Sequence, residues 1–440
     1  MAKRSDIALN LLQKIRAKKA KVAILGLGYV GLPMARELVR HGFSVFGIDT
    51  DRERINAIRK GISFIADLSN DELRHLLRNK RFSVDFSFRS LSLADVVLIC
   101  VPTPLNKTQD PDLSYIISAT REIRSHLHRG QLIILESTTY PGTTEEVVLT
   151  GLRRNGFQVG RDFFLCFSPE RIDPGNRKFK TRDIPKVVGG VTPACSRLGA
   201  DFYRTFLKKV VPVSSPRAAE MTKLLENTFR IVNIGLINEL AIVARALNID
   251  IWEVIEAAST KPFGFMPFYP GPGVGGHCIG IDPVYLAWKA KHHGEEVQFV
   301  DLARRVNARM PEYIVERIVF LFNQELKKKI FGAKILVLGV TYKKDVPDVR
   351  ESPAFEIMSR LEQLGAHVTY HDPYVPELRN DRFVWRSQRL DRKGLRRQDL
   401  VLLLTDHTKF NRKLIVQEAK AIFDARNALN NFRSKKICKL

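Results

Sequence analysis

The sequence predicts an α/β protein with two Rossmann-like doubly wound domains joined by a central helical domain built on one long helix. Three observations lead there. Short apolar runs alternate with helical periodicity from Lys21 onward, the mark of βαβ units around a parallel sheet. A mostly apolar helical stretch then covers 218–247, and a second series of strands and helices opens at Lys334. At 440 residues the chain is about three times the ~150-residue prior for one domain, which suits that division.

In the first series, 22–25, 44–48, 95–101, 131–135 and 163–166 are expected strands, while 32–41 and 52–60 carry apolar residues at helical spacing. The first domain is drawn at 1–206. The long stretch reads as a buried central helix, followed by a Pro/Gly-rich loop over 262–283 and a helical stretch over 297–328 that Pro311 is expected to kink or break. Together these form a central domain, 207–328. The last domain, 329–440, has expected strands at 334–339, 367–371, 399–404 and 421–424. The two α/β ends share a plan but no motif, an architectural echo without a sequence repeat.

A 45% hydrophobic and 27% charged composition excludes a disordered, collagen-like or disulfide-stapled chain. The net charge of +24 would attract phosphates, nucleic acid or anionic lipid without choosing among them. The basic run over 379–397 is interrupted by Asp381, Trp385 and Asp391 and lacks any nucleic-acid-binding motif, so it reads as a solvated surface and nucleic acid is not an expected partner. Cys100, Cys166, Cys195, Cys278 and Cys438 have no metal-ligand spacing, so no metal is expected; so sparse a set suits a reducing compartment, the cytoplasm by default. Residues 1–21 lack the apolar stretch of a signal peptide, and no apolar run approaches the ~20 residues of a membrane span, so no membrane association is expected.

Gly26-Leu27-Gly28-Tyr29-Val30-Gly31 follows the first strand and opens a helix with Pro33 near its start. Gly26 permits the tight turn, Gly28 lets backbone approach a pyrophosphate, Gly31 permits close helix packing, and the helix N-terminus offers amides. Asp49 closes the second strand, where a carboxylate can accept from ribose hydroxyls and repel a 2′-phosphate, so NAD is the expected cofactor. The strand ends 101–104 and 136–139, carrying Thr103 and Thr138, belong at the carboxyl edge of the same sheet, where capping and ligand contact both fit.

Between Tyr269 and Pro283, four glycines in six residues precede Cys278. A thiolate there could attack an aldehyde carbon and Asp282 could position water or move a proton; a small buried residue is the alternative reading of an isolated cysteine. On the long helix, Lys223 and Asn227 share a face with Glu220, a face that either meets solvent or lines a polar site.

In this order the motifs resemble the UDP-glucose/GDP-mannose dehydrogenase family of nucleotide-sugar 6-dehydrogenases, from Lys21 to about Asn427. Residues 26–33 resemble its GxGYVGLP turn, 100–104 its strand-end TP segment and 168–171 its SPE segment. Residues 220–227 resemble its E-x-x-K-x-x-x-N helix, 275–282 its GGxCxxxD segment and 342–352 its K-x-x-x-x-D-x-R-x-S segment. Within the family, 136–144 and 261–273 are most similar to the branch that oxidises UDP-N-acetylglucosamine.

The resemblance implies a four-electron oxidation of a UDP-sugar C6 alcohol to a carboxylate by two NAD molecules in turn, for surface polysaccharide synthesis. It implies that Cys278 holds a thiohemiacetal and then a thioester, that Lys223 and Asn227 stabilise developing charge, that Asp282 works through water, and that Glu170 and Thr138 serve hydrolysis. It adds Tyr29, Val30, Arg54, Thr103, Thr138 and Arg350 to the cofactor site, and Glu170, Arg171, Lys223, Asn227, Tyr269, Gly273, Gly276, Lys343 and Arg426 to the sugar-nucleotide site. A homodimer on the central helix is implied as well. Ile281 and Pro174 depart from residues common in some members, and the basic tail 431–440 has no counterpart, with Cys438 read as an exposed thiol without function. The alternatives are the same chemistry on UDP-N-acetylmannosamine, UDP-glucose or another nucleotide sugar, a two-electron hydroxyacid dehydrogenase, and a noncatalytic polyanion binder.

Overall fold

Lys21–Leu25 (β1), Ser44–Ile48 (β2), Phe82–Asp85 (β3), Val96–Ile99 (β4), Leu132–Leu135 (β5), Phe164–Phe167 (β6), Lys186–Gly190 (β7) and Val210–Val213 (β8) form one sheet in the order β3-β2-β1-β4-β5-β6-β7-β8. Its neighbours pair in parallel except β6 with β7. The computed structural model describes residues 6–65, 68–153, 156–171, 181–379 and 384–440, with the backbone alone for Asp6, Thr181, His277 and Cys278. Pro174 therefore lies outside the described residues.

β1, β4, β5 and β6 read as unbroken apolar runs because helices cover both faces of a doubly wound sheet; Val96–Ile99 and Leu132–Leu135 are buried at every position. The helix Gly31–Arg40 follows β1 and buries Leu32, Met34, Ala35, Leu38 and Val39. The sheet continues past Phe206 to β8, so the first layer outruns the expected boundary.

Lys334–Leu338 (β9), His367–His371 (β10), Glu377–Arg379 (β11), Val384–Arg386 (β12), Leu400–Leu403 (β13), Ile422–Asp424 (β14) and Ile437–Lys439 (β15) follow. Five of them make a parallel sheet, β10-β9-β13-β14-β15, and β11 pairs antiparallel with β12. The tail expectation is corrected here: β15 is a sheet strand, Cys438 sits opposite Phe423, and its half-buried thiol is pushed up by burial. Of the basic run, Arg386 pairs with Glu377, and Arg392 and Arg396 share Glu418.

Three helices differ from expectation. The long helix Pro216–Ala246 is not buried all round, because Leu225, Phe229, Leu236, Leu240 and Val243 are each more than 40% exposed. The helix Gln298–Phe320 runs through Pro311 unbroken. A proline frees the carbonyl four residues back, here that of Asn307, and a side chain at Gly273 would lie 3.2 Å from that oxygen. The Pro/Gly-rich loop ends at Gly276, since His277–Lys291 is helical with Pro283 inside it. Cys278 and Asp282 are thus helical residues one turn apart.

Contacts divide the chain into two units, Met1–Glu226 with Val284–Glu295, and Asn227–Pro283 with Glu296–Leu440. No helix among the described residues is long and apolar enough to cross a membrane.

Candidate active site

The candidate residues of the first unit gather at the carboxyl ends of its strands. A side chain on Gly26 would stand 2.4 Å from the Cys100 carbonyl oxygen, and one on Gly31 1.9 Å from that of Gly26, so both glycines are required by packing. At Gly28 an added Cβ meets no described atom within 4 Å. That open backbone beside a helix N-terminus is where a pyrophosphate fits, and the residues present therefore suit the nicotinamide dinucleotide the motif implies.

Asp49 is 6% exposed and fully engaged. Its Oδ2 accepts from the Leu27 amide at 2.8 Å and the Arg54 guanidinium at 3.0 Å, and its Oδ1 from the Asp51 amide at 3.0 Å. The carboxylate the motif assigns to ribose thus also fastens the glycine turn to β2. Tyr29 is exposed and Val30 half-buried on that turn. Thr103 and Thr138 lie beyond the adjacent strands β4 and β5, whose ends are tied by the Ser137 hydroxyl donating to the Val101 carbonyl at 2.7 Å.

Glu220 shows why the 137–144 segment holds its shape. It is wholly buried, and its carboxylate accepts from the amides of Gly142 at 2.6 Å and Thr144 at 2.9 Å and from the Thr144 hydroxyl at 2.7 Å. Burial pushes its carboxyl up while those three bonds oppose the rise. The solvated face that was one option for the long helix is excluded here: Glu220, Lys223 and Asn227 are all buried.

Glu170 follows β6. Its Oε1 accepts from the Arg171 amide at 2.6 Å and its Oε2 from the Lys186 ammonium at 3.2 Å. The Arg171 guanidinium donates to Glu226 at 3.2 Å and to the Pro185 carbonyl at 2.7 Å. Lys186, Glu136 and Tyr203 form a buried group around Glu170 that sequence reasoning missed, because a single lysine at the head of an apolar strand carries no periodic signal.

The second unit brings together its own candidates. The Asn227 amide donates to the Asp282 carboxylate, joining the long helix to the helix that carries Cys278. The glycine run packs tightly: a side chain on Gly275 would stand 2.5 Å from Tyr342 Cβ, and one on Gly276 2.7 Å from its ring, while the Gly276 amide donates to the Arg350 carbonyl at 3.0 Å. These glycines therefore fix the segment bearing Lys343 and Arg350. The Arg350 guanidinium is paired with Asp348 at 2.6 Å. Tyr269 stacks on Trp252 with ring centroids 6.1 Å apart.

Arg426 donates through Nε to the Leu404 carbonyl at 2.9 Å, and a side chain on Gly271 would collide with its guanidinium. Burial pulls that guanidinium down to about 10, against the opposing pull of Asp406 and Asp424. The Gly271 amide in turn donates to Asn238 Oδ1 at 2.9 Å, and Asn238 donates to Asn307 at 2.8 Å, a buried amide pair not foreseen from sequence. At the end of β10, Asp372 accepts from the Val340 amide at 2.8 Å and from His407 Nε2 at 2.9 Å. Burial alone would raise its carboxyl; His407 and the surrounding amides outweigh that and hold it below the usual carboxylate range.

Three family models match this chain: "UDP-glucose/GDP-mannose dehydrogenase family, NAD binding domain" over residues 20–207, the "central domain" over 217–309 and the "UDP binding domain" over 336–431. A UDP-N-acetyl-D-glucosamine 6-dehydrogenase of Pseudomonas aeruginosa is 39% identical over 362 residues, 81% of this chain and 84% of that protein. A UDP-N-acetyl-D-mannosamine dehydrogenase of Methanococcus aeolicus is 34% identical over 423 residues, 93% of this chain and 92% of that protein. The solved structure of a UDP-D-ManNAc dehydrogenase from Pyrococcus horikoshii superposes with a TM-score of 0.85 at 34% identity, covering 95% of this chain and 98% of that one.

Proposed function

The chain belongs to the UDP-glucose/GDP-mannose dehydrogenase family and is an NAD-dependent nucleotide-sugar 6-dehydrogenase, and from that premise we propose that it oxidises UDP-N-acetylglucosamine to its uronic acid through a covalent bond to Cys278. The observation that carries the covalent route is the Asn227–Asp282 hydrogen bond, and the 39% identical Pseudomonas aeruginosa relative supports the choice of sugar. Asp282 lies one turn beyond Cys278 on its helix, and Asn227 one turn beyond Lys223 on the long helix. A nucleophile, an acid and an ammonium thus belong to two helices joined at one bond.

Bound NAD+ supplies the hydride acceptor for each oxidation. The Cys278 thiolate adds to the C6 aldehyde, Lys223 and Asn227 stabilise the charge that develops on oxygen, and the second oxidation leaves a thioester. Hydrolysis, with Asp282 placing water, Thr138 assisting and Glu170 taking its proton, releases the carboxylate and restores the thiolate. Gly26, Gly28, Tyr29, Val30, Gly31, Asp49, Arg54, Thr103, Thr138 and Arg350 hold the cofactor. Glu170, Arg171, Lys223, Asn227, Tyr269, Gly273, Gly276, Lys343 and Arg426 hold the UDP-sugar.

The functional division expected from the sequence gives 1–206 to the cofactor, 207–328 to the catalytic helices and 329–440 to the uridine nucleotide, with β8 at Val210–Val213 moved to the cofactor side by its place in the first sheet. The exposed apolar row Leu225, Phe229, Leu236, Leu240 and Val243 on the long helix supports a homodimer, because so much apolar surface on one helix is stabilised by burial. The enzyme works in the cytoplasm and its product feeds surface polysaccharide.

NADH formed per sugar consumed tests the reading, with UDP-N-acetylglucosamine, UDP-N-acetylmannosamine and UDP-glucose supplied separately. Two NADH per UDP-N-acetylglucosamine, lost in Cys278→Ala, is the expected result; one NADH per sugar would overturn the thioester route. The Methanococcus aeolicus relative, matched over 93% of this chain, favours UDP-N-acetylmannosamine as the second reading, and preferential turnover of that sugar would select it.

A further inference from the structure

Behind Glu170 lies a charge cluster that the reaction as described does not use. Lys186, the first residue of β7, is 4% exposed, and its ammonium donates to Glu136 at 2.6 Å and to Glu170 at 3.2 Å. Glu136, directly after β5, is 1% exposed and accepts a second bond from the Tyr203 hydroxyl. The Tyr203 ring lies 5.2 Å from the same ammonium. Burial alone would push the Lys186 ammonium towards neutrality, but the two carboxylates outweigh it and its pKa is raised.

Among the described residues, the groups around Glu170 include Glu136 beyond β5, Lys186 on β7, Tyr203 on the helix Pro193–Arg204, the buried Cys100 thiol beyond β4, and Arg171, whose guanidinium is turned to Glu226. The Lys186 ammonium is within hydrogen-bonding reach of the Glu170 carboxylate, at 3.2 Å. An isolated buried ammonium is costly, so three residues committed to holding one in place ask for a purpose.

We propose that Lys186 is a positioning residue for hydrolysis: its ammonium aims the Glu170 carboxylate and keeps it ionised, while Glu136 and Tyr203 hold the ammonium. The inference rests on Glu170 as the base of the reaction proposed above. There, water oxygen bonds to the thioester carbon, its proton passes to Glu170, and the C–S bond breaks with the electron pair leaving on the Cys278 sulfur. A carboxylate can take that proton only if it is charged and correctly aimed, and an adjacent ammonium secures both.

Rapid-mixing NADH traces test it, with the UDP-sugar the wild type turns over, on wild type, Lys186→Met, Lys186→Arg and the double variant Glu136→Gln/Lys186→Met. Lys186→Met should give a burst of two NADH per site followed by a steady state slowed about 100-fold, the size of a misaimed general base. The acidic limb of its steady-state pH profile should move up by about one unit, because the charge that favours ionised Glu170 is gone. Lys186→Arg should recover most of the rate. The double variant also removes the Glu136 charge that Lys186→Met alone would leave buried without its ammonium; it should stay slow with the same shifted limb, and it carries the test alone if Lys186→Met does not fold. A double variant with wild-type turnover would show that Lys186 merely neutralises Glu136, and an unshifted acidic limb would equally overturn the proposal. A wild type that forms no NADH would instead defeat the underlying reaction.

Discussion

The contrast between Gly28 and its two neighbouring glycines separates a residue kept for the ligand from residues kept for the fold. An alanine Cβ at Gly31 would sit 1.9 Å from the Gly26 carbonyl oxygen, more than an ångström inside any tolerable contact, and that turn is anchored by the Gly26 amide donating to Ile48 at 2.8 Å. Overpacking of this kind costs about 1–3 kcal/mol and occasionally more, and with the Gly26 backbone at 1.9 Å and the Ile24 side chain at 3.1 Å we expect Gly31→Ala to lose about 3 kcal/mol. Gly28→Ala meets no described atom within 4 Å, so its stability should stay within about 0.5 kcal/mol of wild type. The same methyl occupies the approach to the pyrophosphate, and NAD affinity should fall at least about tenfold, or ~1.4 kcal/mol. Denaturant unfolding paired with calorimetric NAD titration reads both quantities. A stable Gly28→Ala that binds NAD as tightly as wild type would refute the assignment of this open backbone to the cofactor, and an unperturbed Gly31→Ala would refute the packing argument.

Glu220→Ala removes an acceptor shared by two amides and a hydroxyl; after crediting relief of the buried carboxyl, unfolding should show about 3 kcal/mol lost, part of it regained in Glu220→Gln. Asn238→Ala frees the buried Gly271 amide and should cost about 2 kcal/mol in the same assay while raising KM for the UDP-sugar. The Asp372 carboxyl is held below its unfolded value of about 3.9, so its stabilisation is fully present above that value and lost as pH falls through the lower folded value. The Tm difference between wild type and Asp372→Asn should therefore be clear at neutral pH and shrink below about pH 4; a difference that widens with acid would contradict the sign.

The strands most legible in the sequence were the ones buried on both faces. β1, β4, β5 and β6 announce themselves as apolar runs, and the glycine turn and Asp49 follow from spacing that local chemistry demands, whereas the segment of Cys278 and Asp282 reads as loop and is helical. β7 and β8 were passed over for opposite reasons: one opens on Lys186, and the other is a half-exposed Val-Val-Pro-Val. Prolines misled twice. Pro311 reads as a kink or break and Pro283 as the end of a loop, yet both stand inside helices, and the Asn307 carbonyl that Pro311 frees faces Gly273, where a larger residue would crowd it.

What stayed hidden in the candidate site shares one physical character. Lys186, Glu136 and the Asn238–Asn307 pair are polar groups whose partners lie 50 or 69 residues away, so no local pattern distinguishes them from solvated side chains; Glu220 stands in its helix motif, but its partners 76 residues away leave no such mark. Burial reveals them, since a charge in the interior persists only with its partners in place. The motif residues are short-range by contrast: Gly26, Gly28 and Gly31 act within one turn, and Cys278 and Asp282 within another. A sequence therefore displays the groups that meet the ligand more readily than those that hold them. In this chain the supporting groups fasten the 137–144 segment, Glu170 and the glycine run, the same pieces to which the chemistry is assigned. Substitutions at Glu220, Lys186 or Asn238 should accordingly act on turnover or KM as well as on stability, a coupling that a purely structural role for these residues does not predict.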